Sequence, residues 1–184
     1  MSMPVRTEFA QRMAFEGRLH VRFEAAAAAP DDAQLQALAE RNAHLLGAIA
    51  LLEERRAERE RDEDGAMAQE LARLDAKLSL LIEIVNRLLA PAASLPPRQP
   101  VRFNGLGAEV PAALVPADAA QGRLLLHFDA CPALPLELAC RVEMAAETAF
   151  LAFVQAGEAV EEGLDRFVFR HHRRKLADVR QSTA

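Results

Sequence analysis

The chain of 184 residues is long enough for one well-packed core with an appended helical segment, and its hydrophobic fraction of 51% is sufficient for folding. Its formal net charge of −5 argues against a general nucleic-acid or anionic-membrane binder, because phosphate recognition requires an excess of positive charge. No apolar run is long enough to span a bilayer and no signal-peptide pattern opens the chain, so the sequence predicts a cytoplasmic protein.

The first predicted strand covers residues 17–24, preceded by a segment without clear periodicity. Along this strand apolar residues alternate with polar ones, Leu19, Val21 and Phe23 against Arg18, His20 and Arg22. Such alternation is typical of a half-buried strand whose polar side chains face solvent. Arg18 and Arg22 then share the solvent face, either as ordinary surface arginines or as part of a phosphate site.

A long helix over about residues 32–62 is predicted to follow, with Asp31 and Asp32 as its N-terminal capping signal. Apolar residues recur along it at three and four positions with one polar member: Leu35, Leu38, Asn42, Leu45, Ile49 and Leu52. Asn42 could fix the register of a helical assembly at some cost in stability. The charged run 53–64 is predicted to be a solvated helix end with interleaved ion pairs.

A second helix, antiparallel to the first, is predicted over about residues 66–90, after a turn at Gly65. Its large apolar residues recur in alternating steps of four and three, and we call them the heptad seam: Met67, Leu71, Leu74, Leu78, Leu81, Val85 and Leu88. With Leu71 at position a, every a and d position is apolar, which predicts a coiled coil. The alternative is an ordinary core helix of a globular bundle.

The residues that flank the heptad seam indicate how many helices meet. Charged residues flank its first half, whereas Ile82, Ile84 and Leu89 widen the apolar stripe in its second half. One partner helix cannot cover a stripe of this width. We expect a homotetramer with parallel core helices, and the sequence alone leaves a choice between three and four strands.

The proline-rich residues 91–100 are predicted to end the second helix and to act as a stiff linker. Beyond them the periodicity changes to two, which predicts a compact antiparallel sheet or barrel. Its candidate strands are 101–103, 107–115, 122–128, 134–145 and 148–155. A final helix with an apolar face from Val160 to Leu176 begins with acidic residues and ends with basic ones, as the helix dipole favours.

No catalytic constellation accompanies these elements in the sequence. It contains no nucleophile elbow, no phosphate-binding glycine loop and no HExxH, and the adjacent residues His171 and His172 of a helix face different directions. Cys131 and Cys140 lack a paired Cys/His spacing, so buried side chains are expected rather than a disulfide or metal ligands. The sequence therefore predicts a protein that is not an enzyme and has no metal site.

The segments VRFNGLGAEV, GRLLLHF and LPLELACRVEM, followed by the helix EEGLDRFVFRHHRRKL, resemble the PilZ domain family. The resemblance covers the chain beyond the linker, with residues 17–24 as a displaced first strand. It is similar to the atypical PilZ type, whose barrel is interrupted by long helices and which assembles as a tetramer. The resemblance implies an α+β fold, a six-stranded antiparallel PilZ-like β-barrel with a C-terminal helix, interrupted by a long two-helix coiled-coil insertion.

This resemblance also divides the chain into three parts. Residues 1–30 would hold the first strand region, 31–92 the two-helix coiled-coil oligomerisation insert, and 93–184 the remainder of the barrel and the C-terminal helix.

PilZ domains commonly bind cyclic di-GMP through an RxxxR motif before the first strand and a [D/N]xSxxG motif later. Here Glu8 replaces the first arginine and Arg12 matches the second, while Arg102 and Asn104 replace the acidic residue and the serine. Guanidinium groups bind phosphates, so the reversed charge at Glu8 implies weak or indirect binding. The implied ligand-binding residues are Arg12, Arg18, Arg22, Arg102, Asn104 and Gly107.

The resemblance and the sequence patterns together imply two functions of different classes. The first is a non-catalytic PilZ-type signalling protein in cyclic di-GMP-mediated regulation, a homotetramer that acts through weak nucleotide binding or a protein partner. The second is a structural scaffold or adaptor, related to pili, motility or virulence, without nucleotide binding. Neither nucleic acid nor a membrane is an expected partner, and weakly bound cyclic di-GMP is the one candidate ligand.

Overall fold

A computed structural model describes residues 5–58 and 95–182, together with positions 74, 76–78, 80, 81, 84, 85 and 88. Its strands are β1 (Phe15–Ala25), β2 (Arg98–Asn104), β3 (Gly107–Pro111), β4 (Gln121–His127), β5 (Leu136–Met144) and β6 (Thr148–Phe153). All neighbours are antiparallel, and the order β1-β2-β3-β6-β5-β4 closes a barrel. The predicted six-stranded barrel is therefore confirmed.

Three α-helices accompany the barrel in the continuous described ranges: α1 (Val5–Gln11), α2 (Asp32–Glu58) and α3 (Glu158–Ser182). The sequence patterns did not predict α1, because seven residues with one buried side chain, Phe9, show no measurable period. Within the described part of the chain, no helix is long and apolar enough to cross a membrane.

Two strand boundaries differ from the sequence prediction by more than two residues. Residues 98–100, predicted as linker, already belong to β2, where Arg98 pairs with His20 and Pro100 with Arg18 of β1. A proline is tolerated there because β3 pairs with β2 only from Arg102 onward, which leaves one side of β2 open. The strand predicted over 107–115 ends at Pro111, since residues 112–114 form a 3₁₀ turn.

Strand β1 closes the barrel by changing its partner halfway. Residues 15–20 pair with β2, and residues 20–25 pair with β4, so His20 is opposite both Arg98 and His127. Arg18 consequently lies on the β2 side of the barrel surface, and Arg22 on the β4 side.

The hydrophobic core consists of inward side chains of the strands and one face of α3. Val160, Leu164, Phe167 and Val168 of α3 are at most 2% exposed. The ring of Phe167 packs with its centroid 4.7 Å from that of Phe128, among further aromatic contacts with the barrel. Burial of each such side chain stabilises the fold by up to about 1.5–3 kcal/mol, which fixes α3 across the barrel.

The buried face of α2 packs against α3 and against the barrel of the same chain. Asp31 and Gln34 cap the helix reciprocally, with backbone-to-side-chain distances of 2.8 and 3.1 Å. The buried apolar side chains along it are Leu35, Leu45, Leu46 and Ile49. Asn42 donates to the backbone oxygen of Glu137 at 2.6 Å and accepts from its nitrogen at 3.2 Å. The prediction that Asn42 sets a coiled-coil register is therefore wrong, because the NH2 group and the oxygen of its side-chain amide both bind the backbone of β5.

Candidate functional site

Arg102 is the predicted ligand-binding residue that lies between two carboxylates. It faces outward from β2, opposite Glu16 of β1 and Glu109 of β3. Its Nε lies 3.2 Å from Glu16 Oε1, and its Nη1 lies 3.3 Å from Glu109 Oε2. The guanidinium also lies 4.6 Å from the centre of the Phe9 ring. Two carboxylates and an aromatic ring thus surround the group that a phosphate would have to approach.

The other predicted arginines are spread over the barrel surface and also have partners. Arg18 donates to the backbone oxygen of Arg98 at 2.9 Å, on the same strand pair as Arg102. Arg22 lies beside β4, with its Nη1 3.7 Å from Glu24. Arg12 follows α1 and forms an ion pair with Glu8, the residue that replaces the first arginine of the RxxxR motif. The structure therefore brings Arg18 and Arg102 onto one strand pair and places Arg22 on another.

Asn104 and Gly107 flank the turn between β2 and β3. Asn104 is fully buried, donates to the backbone oxygen of Phe9 at 3.1 Å and accepts from the nitrogen of Leu106 at 3.0 Å. At Gly107 an added Cβ would lie 2.7 Å from the backbone oxygen of Leu151, so only glycine fits. Asn104 thus holds α1 and the turn in place, and Gly107 allows β3 to approach β6. Their role toward a ligand stays a prediction.

A basic groove lies between the segment that leads into β1 and the second half of α3. Its cavity has a volume of about 640 Å³. The residues that line this basic groove are Met13, Ala14, Phe15, Glu16, Val168, His171, His172, Arg174 and Lys175. The sequence patterns did not indicate the groove, because its two sides come from opposite ends of the chain and no local motif joins them.

Glu53 of α2 is the centre of an ion-pair cluster with α3. Its carboxylate lies 3.2 Å from His171 Nε2, 3.4 Å from Arg170 Nε and 3.8 Å from Arg174 Nη1. Burial alone would raise the pKa of Glu53, but the hydrogen bond with His171 and the positive charges of His171, Arg174 and Arg170 lower it below the ordinary value. The prediction of a solvated helix end is wrong at Glu53, whose side chain is 12% exposed.

The described members of the heptad seam are helical and exposed in the single chain. They are Leu74, Leu78, Leu81, Val85 and Leu88, with exposed fractions from 43% at Leu78 to 76% at Leu88. Ile84, which widens the stripe, is 45% exposed. Met67 and Leu71, as well as Ile82 and Leu89, lie outside the described residues.

Among the described residues, no group of three or more His, Cys, Asp or Glu side chains lies where it could hold a metal ion. Cys140 is buried and Cys131 is half-buried, and the two are not joined in a disulfide.

Comparisons with known proteins agree with this architecture. A family model described as an atypical PilZ domain, cyclic di-GMP receptor, matches residues 46–181. A solved structure with a similar fold is that of a pathogenic protein from Xanthomonas campestris, described as a new tetrameric PilZ domain self-assembled via an unusual helical bundle. Its TM-score is 0.74 at 25% sequence identity, and the alignment covers 94% of this chain and 96% of that one. No curated protein matches the sequence.

Proposed function

The chain belongs to the atypical PilZ domain family, and from this premise we propose that it is a non-catalytic signalling protein in cyclic di-GMP-mediated regulation. It assembles as a homotetramer through the heptad seam. Residues 31–92 are the oligomerisation insert, and residues 1–30 and 93–184 supply the barrel and the C-terminal helix. Cyclic di-GMP binds weakly, or acts on the protein through a partner.

The exposure of the heptad seam is the observation that carries this proposal. Helical leucines at positions a and d, such as Leu78 and Leu81, are about half exposed in the single chain. Soluble monomers rarely leave a continuous apolar stripe in water, so other copies are expected to cover it. The Xanthomonas campestris protein, which shares the fold, is tetrameric through a helical bundle, and this supports four copies.

Weak nucleotide binding is supported by the partners that the arginines already have. Arg12, Arg22 and Arg102 each lie within ion-pair distance of a carboxylate. A bis-phosphate ligand would have to displace these carboxylates and take the guanidinium groups out of their present bonds. We expect a dissociation constant no tighter than about tens of micromolar, roughly −6 to −7 kcal/mol.

Calorimetric titration of cyclic di-GMP tests this part of the proposal. Glu16→Gln removes a carboxylate that competes with the nucleotide for Arg102, and Glu8→Arg restores the RxxxR motif. Each variant should therefore bind cyclic di-GMP about threefold to tenfold more tightly. Arg18→Ala should weaken it, whereas Arg166→Ala should not, because Arg166 lies on α3 with 73% of its side chain exposed. A nanomolar constant for the wild-type chain would contradict weak binding.

The second candidate function is a structural scaffold or adaptor that binds no nucleotide. It is favoured by the position of Arg102, whose charge Glu16 and Glu109 can neutralise without any ligand. The same titration separates the two functions. An intact tetramer that releases no heat with cyclic di-GMP, even after Glu16→Gln or Glu8→Arg, would support the scaffold.

A further inference from the structure

The basic groove combines an apolar floor with a positively charged wall. Met13 is 48% exposed, and Phe15 and Val168 lie beside it in the lining. The opposite wall consists of His171, His172, Arg174 and Lys175 of α3. Apolar surface with a few convergent polar groups is the usual composition of a binding site.

The charge of the groove is opposite to that of the whole chain. Arg174 and Lys175 are positive, while the complete sequence has a formal net charge of −5. Glu16 is the one carboxylate among the groove's described lining residues, and it lies 3.2 Å from Arg102 on the outer face of the barrel. The electrostatic complement of this wall is therefore an acidic group.

The aromatic side chain in the groove offers little surface for stacking a nucleotide base. Phe15 stacks on Phe103 at a centroid distance of 4.9 Å. It also contacts Phe167 at 5.6 Å and meets the ring of His171 at 5.2 Å with nearly perpendicular planes. A base would have to compete with these contacts, whereas an aliphatic side chain can lie on the exposed part of Met13 without disturbing them.

We propose that the basic groove binds a short segment of a partner protein that carries acidic side chains next to apolar ones. The acidic groups pair with Arg174 and Lys175, and the apolar groups cover Met13. The inference rests on the proposed function only for the existence of a protein partner, since the groove's composition stands independently of it.

The groove is also connected to the helix that precedes the heptad seam. His171 and Arg174 line the groove and at the same time bind Glu53 of α2, at 3.2 and 3.8 Å. An acidic side chain in the groove competes with Glu53 for these two residues. Partner binding is thereby coupled to the attachment of α2 to α3.

Fluorescence anisotropy of a rhodamine-labelled, capped peptide Leu-Glu-Asp-Leu-Glu-Glu, titrated with the full chain, tests the inference. We expect saturable binding that is lost when the acidic residues of the peptide are replaced by Gln and Asn. Lys175→Glu should weaken binding by about tenfold or more. Arg173→Glu is the matched control, because the guanidinium of Arg173 lies 5.9 Å from the Phe169 ring and does not line the groove, so its effect should stay below about twofold.

A second variant, Met13→Ser, removes the most exposed apolar side chain of the floor without altering α3 or the charge of the groove, and it should also weaken binding by about tenfold. Equal effects of Lys175→Glu and Arg173→Glu would overturn the inference, as would no binding of the acidic peptide by the wild-type chain. Displacement of the peptide by cyclic di-GMP would show a nucleotide site instead. If the peptide does not bind while calorimetry and light scattering give their expected results, only this inference fails and the proposed function stands.

Discussion

His171 Nε2 on α3 lies 3.2 Å from Glu53 Oε1 on α2, and this contact joins the two longest helices whose bounds are described. Arg170 and Arg174 approach the same carboxylate from α3. The cluster lies between the barrel-bound half of α2 and the part of the chain that continues toward the heptad seam. Its strength therefore affects how firmly α2 is attached to α3.

The stability of the chain should fall in acid partly because of Glu53. Its pKa is lowered from the ordinary value of 4.5, so its stabilising contribution is fully present above that value and is lost as the pH falls through the lowered pKa. Glu53→Gln should reduce the free energy of unfolding at neutral pH by about 1–3 kcal/mol, because Arg170, Arg174 and His171 lose the carboxylate that they share. Below the ordinary pKa the variant should lose less stability than the wild type.

Urea unfolding followed by circular dichroism from neutral pH to about pH 3 measures this difference. Glu54→Gln is the matched control, because Glu54 is the next residue of α2 and is exposed. Its stability profile should follow the wild type, and an identical profile for Glu53→Gln would show that the cluster does not stabilise the fold.

Asn42 should be among the polar side chains that stabilise the fold most. Its amide binds both backbone groups of Glu137 and is 2% exposed. β5 pairs with β6 only from Cys140 onward, so no strand satisfies these groups on that side. Asn42→Leu would leave them unpaired and should lower the free energy of unfolding by about 2–4 kcal/mol, as measured by the urea midpoint.

The exposed residue Gln36, also on α2, provides the control for this substitution. Its side chain donates to Glu40 at 2.8 Å on the helix surface. Gln36→Leu should change the free energy of unfolding by less than about 0.5 kcal/mol. A comparable loss in both variants would contradict a specific role of the bonds to Glu137, because leucine is at least as good a helix former as asparagine or glutamine.

The strands could be predicted because side-chain alternation is a local property. The pattern Leu19, Val21 and Phe23 predicted β1 without knowledge of its partners, and the same periodicity predicted β4 and β5. The helix dipole and the capping signal likewise predicted where α2 and α3 begin. Resemblance to the PilZ family then supplied the closure of the barrel, which periodicity alone left open between sheet and barrel.

The parts that could not be predicted depend on contacts between distant residues. Asn42 and Glu53 are polar residues on a helix, and nothing near them in sequence reveals the backbone of Glu137 or the side chain of His171. The basic groove is a further example, because Met13 and Lys175 lie far apart in the sequence but line the same cavity. Arg18 was predicted from the alternation along the first strand and Arg102 from a PilZ motif, but neither pattern reveals that Glu16 and Glu109 surround Arg102.

The two cysteines should differ in reactivity in the folded protein. Burial raises the pKa of Cys140 to about 12, and its Sγ donates to the backbone oxygen of Gly122 at 3.5 Å. Burial also raises the pKa of Cys131, which is more exposed. Because the thiolate is the nucleophile, iodoacetamide at about pH 8 should modify Cys131 well before Cys140. Mass spectrometry of native and urea-unfolded samples checks this, and equal native rates would contradict it.

The last prediction concerns assembly through the heptad seam. Leu81 is helical and 57% exposed in the single chain, at a d position that four parallel helices would bury together. Leu81→Asp would place four carboxylates in one layer without partners, an arrangement that low dielectric strongly disfavours. The proposed tetramer should separate into monomers or dimers, and the melting temperature of the protein should fall.

Light scattering coupled to size-exclusion chromatography measures this outcome, with Ala76→Asp as the matched control. Ala76 is on the same helical stretch, exposed, and at the f position that points away from the heptad seam. It adds the same charge with only the small loss of helix propensity between alanine and aspartate, about 0.7 kcal/mol, so the tetramer should persist. A monomeric wild type would contradict assembly through the heptad seam. A Leu81→Asp chain that stays tetrameric would contradict it too, because an interface formed by the seam could not accept a charge at Leu81.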